Sequence, residues 1–154
     1  PMHYEGLIRV PMIWRGPGVP AGKVVGEPVS TLDLGATFYD YAGVSSPMAQ
    51  HARSVRPLIE TDGTTRDFAM NEWELLPTRA GVALSLTTVR SKTHKLTVDA
   101  ISGTGEMYDL VNDPAEMNNV FEDSGYKAVR RELEDMIASR PDDTLPIQKQ
   151  VGRA

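Results

Sequence analysis

Few side chains in this sequence have reactive potential, and their spacing limits what they can do. The three histidines, His3, His51 and His94, are too far apart for two to share a helical turn, so no i,i+3 or i,i+4 metal-binding pair exists. There is no cysteine, which excludes a thiol nucleophile, disulfides, thiolate-bound zinc and iron–sulfur clusters. Gly16 and Gly18 are followed by Val19-Pro20 rather than by a helix start, so they do not form a phosphate-cradling loop. No G-x-S-x-G elbow occurs. Asp67, Glu72 and Glu74 form a local acidic cluster. Two carboxylates two residues apart share a face on a strand, and one with a raised pKa can act as a general acid. The commoner role of such a run is a solvated rim.

Charge and composition narrow the partners. Sixteen Lys and Arg against 21 Asp and Glu leave a net charge of -5. The densest basic stretch, Lys127 to Arg131, is interrupted by Glu132 and Glu134. Nucleic acid and anionic membrane are therefore not expected partners. No apolar run approaches the roughly 18 residues that span a bilayer. At 154 residues, 40% hydrophobic and 24% charged, the chain is ordinary for a folded domain with a sizeable core. The first residues, Pro1 to Gly6, have neither the basic nor the long apolar region of a signal peptide, and they read as the interior of a longer sequence. Compartment is left open.

The elements that must position any site follow from periodicity. Leu7 to Trp14 is apolar and β-branched, with Arg9 its lone charge, and predicts a buried strand bent or started at Pro11. Residues 15–22 are a glycine- and proline-rich loop. Ser30 or Thr31 predicts a helix cap, with Asp33 favourable in the first turn. Leu34, Phe38, Tyr41 and Ala42 fall on one face, Gly43 is the C-terminal stop, and Pro47 guards the exit. Residues 45–66 read as irregular, with Val55, Leu58 and Ile59 as an apolar patch. Phe68 to Met70 starts a strand running into the acidic stretch. Residues 82–90 alternate at period two, Lys95 to Val98 is their partner, and Met107 to Val111 is a third strand after a turn at Ser102 to Gly105. Tyr126, Val129, Leu133, Met136 and Ile137 give an amphipathic helix over 124–140, stopped by Pro141. The predicted fold class is α+β, an antiparallel sheet with a packed helix over 61–141, preceded by a strand–loop–helix over 1–60 and followed by a tail over 142–154.

Certain residues add a resemblance. Tyr4-Glu5-Gly6-Leu7-Ile8-Arg9-Val10-Pro11-Met12-Ile13, then Pro17-Gly18, closely resembles the Y-E-G-x-x-R-V-P-x-I-x-x-x-P-G segment of sulfatases, in the alkaline-phosphatase-like superfamily. In register, Val29 to Thr37 resembles their V-S-x-x-D-L-x-P-T helix, and Ala42-Gly43-Val44 its exit. Arg53 to Ile59 is similar to a G-R-S-L-x-P-L-L turn, with Ala52 in place of the first Gly. Arg90, Lys92, Lys95 and Leu96 resemble the R-T-x-x-x-K-L/Y strand pair. Glu106-Met107-Tyr108-Asp109-Leu110, followed by Asp113-Pro114, Glu116, Asn118-Asn119 and Val120, is very like E-L-Y-D-L-x-x-D-P-x-E-x-x-N-L. Five matches in order span roughly residues 3 to 140.

The resemblance implies the C-terminal part of a sulfatase, which hydrolyses sulfate monoesters. It implies that 1–60 is the last strand–helix of the large α/β domain. In that family a formylglycine made from Cys or Ser in C/S-x-P-x-R attacks sulfur, and a divalent cation, usually calcium, neutralises the sulfate oxygens. This sequence has no such motif: Ser45-x-Pro47 continues with Met48-Ala49 and no Arg. The family's metal ligands and sulfate-binding Lys precede the Tyr4 segment, so nucleophile and metal are expected in an N-terminal sulfatase domain, the implied partner. This chain alone is expected to be inactive, with no catalytic or metal residue of its own. Its expected contributions to a pocket for a sulfated small molecule or sugar are His3, Tyr4, Asn71, Glu72, Trp73 and Arg79. The last four belong to an expected rim loop, with Trp73 stacking on a ring of the substrate. His3 either reaches the sulfate or packs at the strand start. Glu5 and Arg9 are expected to pair. Asp113, Pro114, Glu116 and Asn118 are expected to shape a turn. A phosphonate or phosphodiester hydrolase of the same superfamily and a non-catalytic binding module are the alternatives.

Overall fold

A computed structural model describes residues 3–45, 51–77 and 81–141. Its centre is a four-stranded antiparallel meander in the order β1 (Phe68–Leu75), β2 (Leu84–Ser91), β3 (His94–Asp99) and β4 (Gly105–Asp109). The period-two pattern read from the sequence becomes two unlike faces. Met70, Val89, Leu96 and Met107 stand side by side across the sheet in one row. With Val120, Phe121 and Leu133 they form the main core. One residue along each strand, Ala69, Arg90, Lys95 and Tyr108 make a row on the opposite face. Beside it lies a row of Asn71, Thr88, Thr97 and Glu106. One face is therefore apolar and the other carries the polar chemistry.

The described residues include the helices α1 (Glu5–Ile8), α2 (Asp33–Ala42), α3 (Arg56–Glu60) and α4 (Lys127–Ala138). Helix α4 follows a 3-10 turn at Ser124–Tyr126. It lays the predicted stripe of Val129, Leu133, Met136 and Ile137 on the apolar sheet face. Gly105 lies beneath Phe121, where a Cβ would overlap the aromatic ring. Asp99 organises the β3–β4 turn, accepting hydrogen bonds from the Ser102 hydroxyl and from the Ser85, Ile101 and Ser102 amides. Asp109 does the same for the next turn, accepting from the Asn112 side chain, the Val111 and Asn112 amides and the Tyr126 hydroxyl.

The N-terminal third differs from its sequence reading. Leu7 to Trp14 is not a strand: residues 5–8 are a single helical turn and 9–14 are irregular. A strand needs a neighbour for its ladder, and among the described residues none pairs with this segment. Ile13 is 90% exposed and Leu7 57%. Helix α2 ends at Gly43 as expected, in the left-handed region at φ 67°. Its N-cap is Leu32, one residue beyond Thr31 and two beyond Ser30, and its inward face is polar. Buried Asp33 accepts from the Ser30 and Arg53 amides and pairs with Arg66. Buried Thr37 accepts from the Val55 amide. Phe38 is 62% exposed, resting against Trp14. The expected apolar patch is ordered as helix α3, a second small core of Val55, Leu58 and Ile59 with Trp14 and Tyr41 packed on it. Pro47 and the tail over 142–154 lie outside the described residues.

Leu133→Ala should cost about 2–5 kcal/mol, because the cavity opens beneath the fully enclosed row of Val89, Leu96 and Met107; a urea midpoint measures it. Acid should act through the turn carboxylates. Hydrogen bonds led by Ser102 hold Asp99 down to about 2 from 3.8. Those led by Asn112 hold Asp109 to about 2. A lowered folded pKa means that this stability is complete above pH 3.8 and is lost as the pH falls through 2. Urea midpoints between pH 5 and pH 2 should fall, and Asp99→Asn should flatten that fall.

Candidate functional site

The polar sheet face is covered by residues 3–5, and a buried lysine holds them there. Lys95 lies on β3, one of the two inner strands, and is 1% exposed. An ammonium has three protons to donate and no lone pair. Its amine donates to the His3 carbonyl at 2.6 Å. It forms an ion pair with Glu116 and approaches Glu5 at 3.9 Å. It also lies 5.8 Å from the ring centres of both Tyr4 and Tyr108, a cation–π distance.

Glu116 completes the arrangement from the loop after β4. Its carboxylate accepts from the Glu5 amide at 2.6 Å. Its backbone sits at φ 57°, the sole non-glycine residue at positive φ among those described. That conformation is costly for a side chain with a Cβ. Glu5 also pairs with Arg90 at 3.5 Å. The expected Glu5–Arg9 pair is therefore replaced by Glu5 with Arg90 and Lys95, because α1 turns Glu5 towards the sheet while Arg9 is exposed.

The expected site residues fall into separate groups. His3 is buried, with Nδ1 2.7 Å from the Thr88 hydroxyl, which is 2.8 Å from that of Thr97. Its ring stacks on Trp73, with centroids 6.0 Å apart and planes at 16°. Burial, then the charge of Lys95, push the His3 pKa below its ordinary 6.5. Tyr4 is 42% exposed and donates to Glu106 at 3.5 Å. Tyr108 donates to the other Glu106 oxygen at 3.1 Å, and burial raises its pKa.

The stretch from Asn71 to Glu74 is part of β1 and not a rim loop. A strand sends alternate side chains to opposite faces. Asn71 and Trp73 thus share the face of His3, while Glu72 lies on the other face and accepts from Arg140 at 2.6 Å. Asn71 borders a cleft of about 1060 Å³ that also touches Glu5, Arg9 and Arg90. Glu72 and Trp73 border a separate cavity of about 240 Å³. Arg79 lies outside the described residues. Sequence reasoning placed Lys95 in a strand motif and Glu116 in a turn without linking them. The available signal was a lysine amid apolar residues on an inner strand. The turn expectation for Asp113 holds, since its carboxylate accepts from the Asn118 amide at 2.8 Å.

The antiparallel sheet with its packed helices is similar to solved sulfatase structures. A 2-O GAG sulfatase superposes with TM-score 0.70 at 26% identity, over 80% of this chain and 27% of that one. A phosphonate monoester hydrolase of Agrobacterium radiobacter is also similar, with TM-score 0.58 at 26% identity, over 70% of this chain and 23% of that one. The family model for the C-terminal region of N-sulphoglucosamine sulphohydrolase matches residues 1–142, and the chain belongs to that family. It is 31% identical over 140 residues to an N-acetylglucosamine-6-O-sulfatase of Bacteroides thetaiotaomicron, covering 84% of this chain and 24% of that protein. It is 29% identical over 124 residues to human arylsulfatase K, covering 76% of this chain and 23% of that protein. The chain thus spans about a quarter of the length of these relatives.

Lys95→Met leaves Glu116 as a buried charge without its cation and should cost about 3–5 kcal/mol. Urea unfolding measures it; a loss below about 1 kcal/mol would mean that the site is far wetter than its 1% exposure indicates.

Proposed function

We propose that this chain is the C-terminal part of an enzyme that hydrolyses sulfate monoesters, and that it supplies one wall of the substrate pocket. The observation that carries the reading is the family match over residues 1–142. The sulfatases similar to the chain over most of its length support it. The proposed substrate is a sulfated sugar or other sulfated small molecule, and the proposed partner is an N-terminal sulfatase domain. One similar structure holds D-glucosamine-2-N,6-O-disulfate, which favours an amino-sugar sulfate.

The proposed source of the formylglycine and of a divalent cation, supplied as calcium in an assay, is that domain. The chain's own contribution is positional. Tyr4 presents a phenol at the edge of the polar sheet face, and Trp73 presents an indole packed on His3. An indole can stack on a sugar face and a phenol can donate a hydrogen bond to a hydroxyl or a sulfate oxygen. His3 is committed to Thr88 through Nδ1, which leaves it to hold the wall or to offer Nε2. Asn71 shares this face, whereas Glu72 reaches a substrate only from the small cavity beside Arg140.

The similarity to phosphonate monoester hydrolases makes phosphonate the competing substrate class. The test is an assay of the longer polypeptide containing this chain, with calcium, against 4-nitrophenyl sulfate, 6-O-sulfated glucosamine and a phosphonate monoester. Sulfate release at least tenfold faster than phosphonate cleavage is expected, with no turnover by residues 1–154 alone. Faster phosphonate cleavage would replace the proposal with the alternative, and turnover by the 154 residues would overturn the assignment of the nucleophile to another domain.

A further inference from the structure

We propose that Lys95 and Glu116 are positioning residues: together they clamp the backbone of residues 3–5 and so set where His3 and Tyr4 stand at the substrate wall. This role deepens the sulfatase reading and rests on it for its functional consequence.

Four observations carry the inference. The clamp grips main chain, and so holds the segment whatever its side chains do: Lys95 takes the His3 carbonyl at 2.6 Å, and Glu116 takes the Glu5 amide at 2.6 Å. Its two jaws are joined by their own ion pair, which is shut away from water, with side chains 1% and 4% exposed. They come from β3 and from the loop after β4, more than 90 residues along the chain from the segment they hold. Finally, Glu116 keeps an unfavourable left-handed backbone while its side chain reaches both Lys95 and Glu5. Strain of this kind persists where surrounding contacts over-determine it.

A second arm fixes the ring that the first arm delivers. Thr88 and Thr97 form a buried pair of hydroxyls ending on His3 Nδ1, and Trp73 covers the face of the imidazole. The α1 turn begins at Glu5, so a displaced Glu5 amide also displaces the helix that follows. The clamp therefore controls His3, Tyr4 and the entry to α1 as one unit.

The test uses the longer polypeptide and two readouts. Glu116→Asn removes the reach of the carboxylate but suits the left-handed backbone, since asparagine adopts it readily. Hydrogen exchange of residues 4–9 should accelerate at least tenfold more than that of 86–98 in the sheet. Hydrolysis of 6-O-sulfated glucosamine, assayed where the variant is still folded, should lose kcat more than it gains KM; the unfolding midpoint should fall as well, because Lys95 keeps its buried charge without that of Glu116. Glu116→Gln, which keeps an acceptor for the Glu5 amide but no charge for Lys95, should fall between wild type and Glu116→Asn in both readouts.

Unchanged exchange over 4–9 in Glu116→Asn would overturn the clamp. Accelerated exchange with unaltered kcat and KM would overturn its positioning role. If Glu116→Asn loosens 86–98 equally, Glu116→Gln decides: selective loosening of 4–9 supports the clamp, and equal loosening of both segments overturns it. A wild-type polypeptide with no sulfatase activity would instead defeat the functional reading, while the exchange result would still decide whether the clamp exists.

Discussion

The amine of Lys95 is the interaction on which this structure turns. A charge that is 1% exposed must be compensated where it lies, and it is compensated by groups from three distant parts of the chain. The His3 carbonyl, Glu5 and the Tyr4 ring come from the N-terminal segment, the Tyr108 ring from β4, and Glu116 from the loop after β4. A buried ion pair need not stabilise a fold relative to apolar packing. What it does is specify: wrong placements of residues 3–5 leave Lys95, Glu116 or both unpaired. The segment is thereby registered on the sheet without any strand pairing.

The two faces of the meander divide the labour. The apolar face is closed by α4 and is a matter of packing, with Leu133 against Val89, Leu96 and Met107. The polar face closes through hydrogen bonds and charges, from Thr88 and Thr97 through Lys95 to Glu106 and Tyr108. A charged face can present chemistry to a neighbouring substrate, which the packed face cannot. Family membership gives this division its context, because the chain spans about a quarter of its sulfatase relatives.

Much of the sheet and of α4 was legible because period-two and helical patterns are local. The strand over 82–90 and the stripe from Tyr126 to Ile137 correspond closely to β2 and α4, and Gly43 ended α2 because only a left-handed residue suited its exit. Leu7 to Trp14 was misread because apolar β-branched composition reports a preference for pairing and not the presence of a partner. The site was less legible than the fold. His3 and Tyr4 are candidates that the family resemblance suggests, but the pairing of Lys95 with Glu116 joins residues 21 positions apart through a positive-φ turn, which no local pattern encodes. Asn71 to Glu74 looked like one loop because its composition is polar; as a strand, it sends Glu72 away from Asn71 and Trp73.

The most direct measurement is a double-mutant cycle between Lys95 and Glu116, with Lys95→Met, Glu116→Leu and the pair followed by urea unfolding. A mutual clamp predicts strong coupling: the double variant should be less damaged than the sum of the singles by more than about 1 kcal/mol, since neither charge is then left alone. Additivity within about 0.5 kcal/mol would show that the two residues act independently, and would contradict the account.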